Sequence, residues 1–148
     1  MENREIIRRR QRARKILVQA LYQWQFNESD ISEIQAQYIT ENNPDKFDQQ
    51  YFCDVLKGVT SDVKKLDEEI IPLFDRAINL INPVEFAILR LSTYEFIHCL
   101  DVPFKVVIDE AISLSKTFGA TEGHRYVNGV LHQLAEKLRP LELSKRKK

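Results

Sequence analysis

The sequence predicts an all-α protein, and three observations support this fold class. Apolar residues recur at spacings of three and four through most of the chain, as they do along one face of a helix. No segment alternates polar and apolar residues for long enough to predict a strand. Prolines lie between the periodic segments, where they begin or end helices. With 148 residues, 43% of them apolar, the chain can bury a core without disulfides or metal, and we expect a single compact domain of about seven helices.

Four helical segments are predicted in the first half of the chain. Ser29 or Asp30 can cap the second of them. The third keeps its apolar period for about five turns, with Gly58 marking a close contact or a bend. Pro72 ends or kinks it, and a short helical piece follows. The segments are, in order, residues 8–26, 31–39, 51–70 and 73–81.

Three more helices are predicted in the second half. The first is apolar over most of its circumference and should be central; Asn82 can cap it, and Glu85 lies three residues after the cap. The second begins with the β-branched run VPFKVVI, which continues into a helical pattern, and Gly119 can end it in the left-handed conformation. Thr121 or Glu122 starts the last helix. The approximate segments are residues 83–97, 104–118 and 122–138.

The formal net charge of zero conceals basic chain ends on an acidic body. Residues 1–15 carry seven basic and two acidic side chains, residues 137–148 carry six and one, and the segment between them has a net charge of −10. This distribution favours a localised anion-binding surface over general attraction to polyanions. We assign residues 1–140 to the folded domain and 141–148 to a basic tail, which could equally be only solubilising.

The first helix has a basic and aromatic face that the core does not need. Six of the eight residues from Arg8 to Lys15 are basic, and on a helical wheel Arg8 and Arg12 align with Tyr22 and Phe26. Guanidinium groups bind phosphate, and an exposed aromatic ring can stack on an unpaired base, so this face is suited to single-stranded RNA. The alternative is that the rest of the fold covers the two rings.

A second polar cluster opens the last helix. Arg125 and Tyr126 repeat the pairing of a guanidinium with an aromatic ring, next to a helix N-terminus whose free amide groups attract anions. For Gly129 the simpler interpretation is close helix packing, because glycine inside a helix costs about 1 kcal/mol relative to alanine.

The sequence gives no support for catalysis, a metal or a cofactor. Cys53 and Cys99 are isolated thiols, and His124 and His132 are not at the spacing of zinc ligands. The usual nucleotide-binding and nucleophile motifs are absent. The N-terminus has no apolar signal region, so a cytoplasmic protein is expected.

Three blocks of the sequence resemble the NusB family of bacterial transcription antitermination factors. They are ARKILVQALYQWQF in the first helix, VEFAILRLSTYEF in the central helix, and VPFKVVIDEAISLSKTFGATEGHRYVNGVL near the end. The last block is the most specific, because a plain helical bundle does not need these residues in this order. The resemblance implies seven helices in two subdomains, no catalysis and a role in RNA binding.

The resemblance also implies partners. Members of this family bind the boxA element of ribosomal RNA leaders together with a small-subunit ribosomal protein, called NusE in this role. With other Nus factors on RNA polymerase, they support transcription of ribosomal RNA operons. The RNA sequence preference, the affinity and the state of the free protein, monomer or homodimer, do not follow from the sequence. The competing hypothesis is a helical protein-interaction scaffold without a specific RNA role.

The resemblance assigns roles to individual residues. The basic start of the first helix corresponds to the family's RNA-binding segment, while Glu122 and Tyr126 correspond to RNA-proximal positions. Tyr22, Glu85 and Arg90 correspond to positions that meet the protein partner or border the RNA, and their division between these roles stays open. Asp109 and Tyr126 stand where asparagine and phenylalanine are common. The RNA-binding candidates are Arg8, Arg9, Arg10, Arg12, Arg14, Glu122, Arg125 and Tyr126.

Overall fold

The protein is all helical, which confirms the predicted fold class. The structure, a computed structural model, describes residues 3–27 and 30–146, and within them it contains eight α-helices and two 3₁₀ turns but no strand. The chain divides into two compact units, Met1–Ser61 and Asp62–Lys148. The helices are α1 (Asn3–Asn27), α2 (Ile31–Glu41), α3 (Gln49–Ser61), α4 (Val63–Ile70), α5 (Pro83–His98), α6 (Phe104–Phe118), α7 (Gly123–Leu138) and α8 (Pro140–Arg146).

The first unit packs α1 against α2 and α3. The apolar stripe of α1 is buried, and Leu17 is fully covered. Phe47 and Phe52 meet edge to face with ring centroids 6.0 Å apart, which adds a directional contact to their area burial. Asp30 caps α2 by accepting from the amide of Ser32 at 2.9 Å. Ser29, the other predicted cap, lies outside the described residues.

The predicted single helix over residues 51–70 is wrong, because it is two helices that meet at Asp62. Asp62 adopts φ −102° and ψ 14°, outside the helical region, and its carbonyl accepts from the amide of Leu66 to start α4. Gly58 stays inside α3. The apolar spacing continues across the break, so periodicity alone could not reveal it.

The second unit is built around α5, the central helix that the sequence predicts. Ten of its sixteen residues are buried. Asn82 caps it, since its side-chain oxygen accepts from the amides of Val84 and Glu85 at 2.9 and 3.3 Å. The segment predicted as a helix at 73–81 instead contains 3₁₀ turns at Ile71–Leu73 and Ile78–Leu80, with extended residues between them.

The turn between α6 and α7 differs from the sequence prediction. Gly119 is extended, at φ −86° and ψ −179°, whereas Glu122 adopts the left-handed conformation at φ 70°. The carboxylate of Glu85, only 5% exposed, lies inside this turn and accepts from the amide of Ala120 at 3.2 Å. Glu85 therefore stabilises the turn between α6 and α7. From the sequence, its position three residues after Asn82 suggested that it would instead help to cap its own helix, α5.

The Glu85 carboxylate leaves no room for a side chain at Gly123, so a glycine is required there. A Cβ atom at Gly123 would lie 2.6 Å from Cδ of Glu85, whose buried side chain has little room to move. We expect Gly123→Ala to lower the free energy of unfolding by about 1 to 3 kcal/mol, as overpacking does elsewhere. Urea denaturation followed by circular dichroism measures it.

Gly129 provides the matched control for Gly123. A Cβ atom there would meet nothing within 4 Å, so close packing is not the reason for this glycine. Gly129→Ala, in the exposed interior of α7, should raise the free energy of unfolding by about 0.5 to 1 kcal/mol through helix propensity. Equal effects of both substitutions would contradict the proposed role of Glu85 in the turn.

Helical structure continues beyond Leu138, the last residue of α7. Pro140 begins α8, so the segment predicted as a basic tail from residue 141 starts as a short helix. Arg139, between the two helices, is 5% exposed. Among the described residues, no helix has the length and apolar character needed to cross a membrane.

Candidate nucleic-acid interface

Arg8 and Arg12 are the exposed arginines within the predicted RNA-binding segment of α1. The side chain of Arg8 is 69% exposed, and its Nη1 lies 4.0 Å from the carboxylate of Glu5 one turn earlier. Arg12 is exposed in the same way. An exposed pair at this distance contributes little to stability, so both guanidinium groups are available to bind an anion.

Arg9 and Arg10 bind the loop before α3 through their side chains. Arg9 donates from Nη2 to the carbonyl of Phe47 at 3.1 Å, and Arg10 donates from Nε to Asp48 at 3.3 Å. The guanidinium of Arg10 also lies 4.0 Å from the centroid of the Tyr51 ring, in cation–π geometry. These contacts give both residues a structural role.

Arg14 is buried. It is 3% exposed, and its guanidinium lies 5.6 Å from the centroid of the Tyr51 ring. A buried charge is retained only where it is paired and hydrogen-bonded, and removing it leaves its partners unsatisfied. Loss of RNA binding in an Arg14 variant would therefore not separate a contact with RNA from a loss of folding.

Tyr22 and Phe26 form an exposed aromatic pair on α1. Their side chains are 41% and 60% exposed, and their ring centroids lie 5.0 Å apart. Neither ring is therefore fully covered, which answers the question that the sequence left open. Two adjacent exposed rings are typical of a surface that binds a base or another protein.

The second cluster includes a tight ion pair at the start of α7. Nε of Arg125 lies 2.6 Å from the carboxylate of Glu122, and the two side chains are 77% and 58% exposed. Both predicted residues are thus on the surface, but the carboxylate neutralises the cation beside it.

Tyr126 lies in an aromatic and charged stack that the sequence did not reveal. The guanidinium of Arg76 lies 4.2 Å from the centroid of its ring, and the Phe74 ring lies 6.2 Å from it. Burial raises the pKa of the Tyr126 hydroxyl, and the nearby Asp75 carboxylate adds to this. The ring is therefore partly covered, and Arg76 occupies one of its faces.

Asp75 holds Arg76 in this stack. Its carboxylate accepts from Nε of Arg76 at 2.7 Å and from Nη2 at 3.4 Å. The hydrogen bond with Arg76, followed by the charge of that guanidinium, lowers the pKa of the Asp75 carboxyl. The sequence pattern placed both residues inside a short helix, and an adjacent acid and base after Pro72 was too weak a signal to distinguish them.

Glu85 and Arg90 also have partners within their own unit. Besides the turn contact of Glu85, Arg90 makes two hydrogen bonds to Asp67, at 2.9 and 2.8 Å, and lies 4.0 Å from the centroid of the Phe86 ring. These contacts give Glu85 and Arg90 structural roles. Their role in meeting the protein partner or bordering the RNA stays a prediction. Among the described residues, no cluster of three or more His, Cys, Asp or Glu side chains could hold a metal ion.

Comparisons with known proteins agree with the resemblance read from the sequence. The NusB family model matches residues 11–136. A transcription antitermination protein NusB of Legionella pneumophila (strain Corby) is 48% identical, over 95% of this chain and 96% of the relative. A protein of the same name from Idiomarina loihiensis is 47% identical, over 88% of this chain and 94% of the relative.

A solved structure agrees with the fold. The chain matches T. maritima NusB with a TM-score of 0.78 and 26% identity, covering 90% of this chain and 96% of that one. The match to the family model, the sequence identity and the shared fold together establish that the chain belongs to the NusB family.

Proposed function

We propose that this protein binds boxA-type single-stranded RNA, together with a small-subunit ribosomal protein equivalent to NusE, as its part in transcription antitermination. The antitermination role follows from membership of the NusB family and from relatives of that name. One observation carries the RNA proposal: α1 presents Arg8 and Arg12 to solvent, while its other face is buried in the core. A rigid helix thereby holds two cations where phosphate can reach them.

The contacts within α1 favour a small set of RNA-binding residues. Arg9, Arg10 and Arg14 anchor the helix, so we assign phosphate binding chiefly to Arg8 and Arg12. Arg4 and Lys15 are exposed on the same helix and add two more positive charges. About four phosphate contacts correspond to a slope of about −3 in a plot of log affinity against log salt for a single strand.

Fluorescence anisotropy with a labelled boxA RNA tests the proposal. The RNA should bind more tightly than a scrambled RNA of the same composition, and addition of the ribosomal protein should increase this difference. The salt slope should fall between about −2 and −4. An affinity that depends neither on the RNA sequence nor on the ribosomal protein would mean that the basic helix attracts RNA only by general electrostatics. No binding at all would favour the interaction scaffold.

The exposed aromatic pair of α1 is the proposed contact for the protein partner. Tyrosine is enriched among the residues that dominate binding at protein interfaces, because it buries a large area at a low cost in conformational entropy. Tyr22 and Phe26 supply such a surface at the end of α1 opposite to Arg8.

Tyr22→Ala should weaken binding of the ribosomal partner by at least tenfold, which corresponds to about 1.4 kcal/mol. Isothermal titration calorimetry measures this affinity. Leu100→Ala is the control, because Leu100 is an apolar residue that is 70% exposed in the other unit. If Tyr22→Ala leaves partner binding unchanged and weakens binding of RNA by the protein alone, Tyr22 belongs to the RNA surface.

The proposal includes no catalytic step. The carboxylate of Asp67 accepts from Arg90, and that of Glu85 accepts from the turn before α7. The relatives are named for a role in transcription, which in bacteria is cytoplasmic, and we assign this protein to the same compartment.

A further inference from the structure

The two surfaces proposed to bind RNA differ in their electrostatics. On α1, Arg12 is exposed, and the guanidinium of Arg8 lies 4.0 Å from the carboxylate of Glu5. In the second unit, Asp75 takes two N–H groups of Arg76, and Glu122 pairs with Arg125 at 2.6 Å. Both of these guanidinium groups thus have a carboxylate beside them, and each pair has no net charge.

Arg76 is held in a fixed orientation by this arrangement. Asp75 fixes one edge of the guanidinium, and the Tyr126 ring supports one of its faces at 4.2 Å. The side chain is 43% exposed, so part of the guanidinium that the Tyr126 ring does not cover can be reached from solvent by a planar partner. Guanidinium planes are established stacking surfaces for unpaired RNA bases, and the Nη1 group remains available to a base edge.

We infer that Arg76, held between Asp75 and Tyr126, is a base-binding residue that contributes to RNA recognition without contributing to the salt dependence of binding. The inference rests on the proposed function and deepens it. A phosphate contact releases counterions and therefore steepens the salt slope, whereas stacking of a base on a neutral pair releases few. The exposed cations of α1 supply the salt-dependent affinity, and the Asp75–Arg76–Tyr126 stack supplies sequence discrimination.

Two variants with opposite expected effects test the inference. Arg76→Ala should weaken boxA RNA binding by about fivefold or more, the effect of losing one stacked base, with a salt slope within about 0.3 of the wild type. Asp75→Asn leaves the Arg76 cation without its counter-charge. It should steepen the slope by about 0.7, strengthen binding of the scrambled RNA and reduce discrimination between the two RNAs.

Lys137→Ala is the matched control. Lys137 pairs with Glu69 at 2.7 Å and is 56% exposed, and its ammonium lies beside a carboxylate instead of covering a ring. It should change neither affinity nor slope. Thermal melts of all three variants should match the wild type, because the substituted side chains are exposed.

The outcomes separate this inference from the proposed function. If wild-type protein does not bind boxA RNA, the proposed function fails before any variant is compared. If the wild type binds but Arg76→Ala has the same affinity, the inference alone is overturned. It is also overturned if Arg76→Ala reduces the slope by a full phosphate contact, about 0.7, since Arg76 would then act as an ordinary cation.

Discussion

Replacing Arg139 with methionine is expected to lower the free energy of unfolding by about 3 to 5 kcal/mol, the range seen when one partner of a buried charged network is removed. Arg139 is 5% exposed and donates to the carbonyls of Phe96 at 2.8 Å and Val102 at 3.0 Å. It also donates to the carbonyls of Glu95 and Cys99. Glu95 and Phe96 lie in the last turn of α5, and the side chain of Arg139 donates to their carbonyls, as cations at a helix C-terminus commonly do.

Glu142 extends this network to α6. Its carboxylate accepts from Arg139, and its other oxygen accepts from the amide of Phe104 at 2.9 Å, at the start of α6. Methionine fills a similar volume but donates no hydrogen bond, so these acceptors lose their partner. At about 2 to 4 °C per kcal/mol for a chain of this size, the midpoint of thermal unfolding should fall by about 6 to 20 °C.

Differential scanning calorimetry of Arg139→Met measures this loss. Lys137→Met is the control, because Lys137 is an exposed cation in the last turn of α7 and its pairing with Glu69 is worth less than about 1 kcal/mol. Similar melting temperatures for the two variants would show that Arg139 does not hold the ends of α5 and α6.

The double substitution Arg8→Ala with Arg12→Ala should weaken boxA RNA binding about thirtyfold near physiological salt, if each lost contact costs about 1 kcal/mol. The same variant should have a salt slope smaller in magnitude by about 1.4, since each lost phosphate contact removes about 0.7 for a single strand. Folding should not change, because both side chains are exposed.

The control for this variant removes two positive charges elsewhere. Lys57 and Lys65 are exposed on α3 and α4, and replacing both with alanine changes the net charge by the same amount. An equal loss of affinity in the control would mean that net charge, rather than the position of Arg8 and Arg12, governs binding. Anisotropy titrations at four or more salt concentrations give both quantities.

Much of the fold could be predicted from spacing and from capping residues. The cap of Asn82 and the central position of α5 follow from the INPVE motif and from its apolar circumference, and both are confirmed. The break at Asp62 was missed, because Val59, Val63 and Leu66 keep a helical spacing across it.

The burial of charged residues was harder to predict. Arg14 lies three residues before Leu17 and four before Val18, both of which are buried, so it shares their face of α1. Because several other arginines lie beside it in the sequence, the basic composition of this segment did not distinguish Arg14 as the buried one. Arg139 was counted with the basic C-terminus, and only the carbonyls at the end of α5, brought to it by the fold, explain its burial.

The candidate site was only partly predictable for the same reason. The exposure of Arg8, Arg12 and Tyr22 follows from the helical wheel of α1, which is a local property. The contact of Arg76 with Tyr126 joins residues fifty positions apart, and no local pattern encodes it. Likewise, the left-handed Glu122 follows from a turn built around the distant carboxylate of Glu85.

Photo-crosslinking of boxA RNA containing 4-thiouridine tests most directly whether α1 and the start of α7 bind RNA. Digestion after glutamate releases residues 6–28, which include most of α1, as one peptide and residues 123–136, with Arg125 and Tyr126, as another. We predict crosslinks in both peptides, stronger with boxA than with scrambled RNA. Crosslinks confined to peptides other than these two and residues 70–85, which carry Arg76, or equal for both RNAs, would contradict the assignment of these surfaces to specific RNA binding.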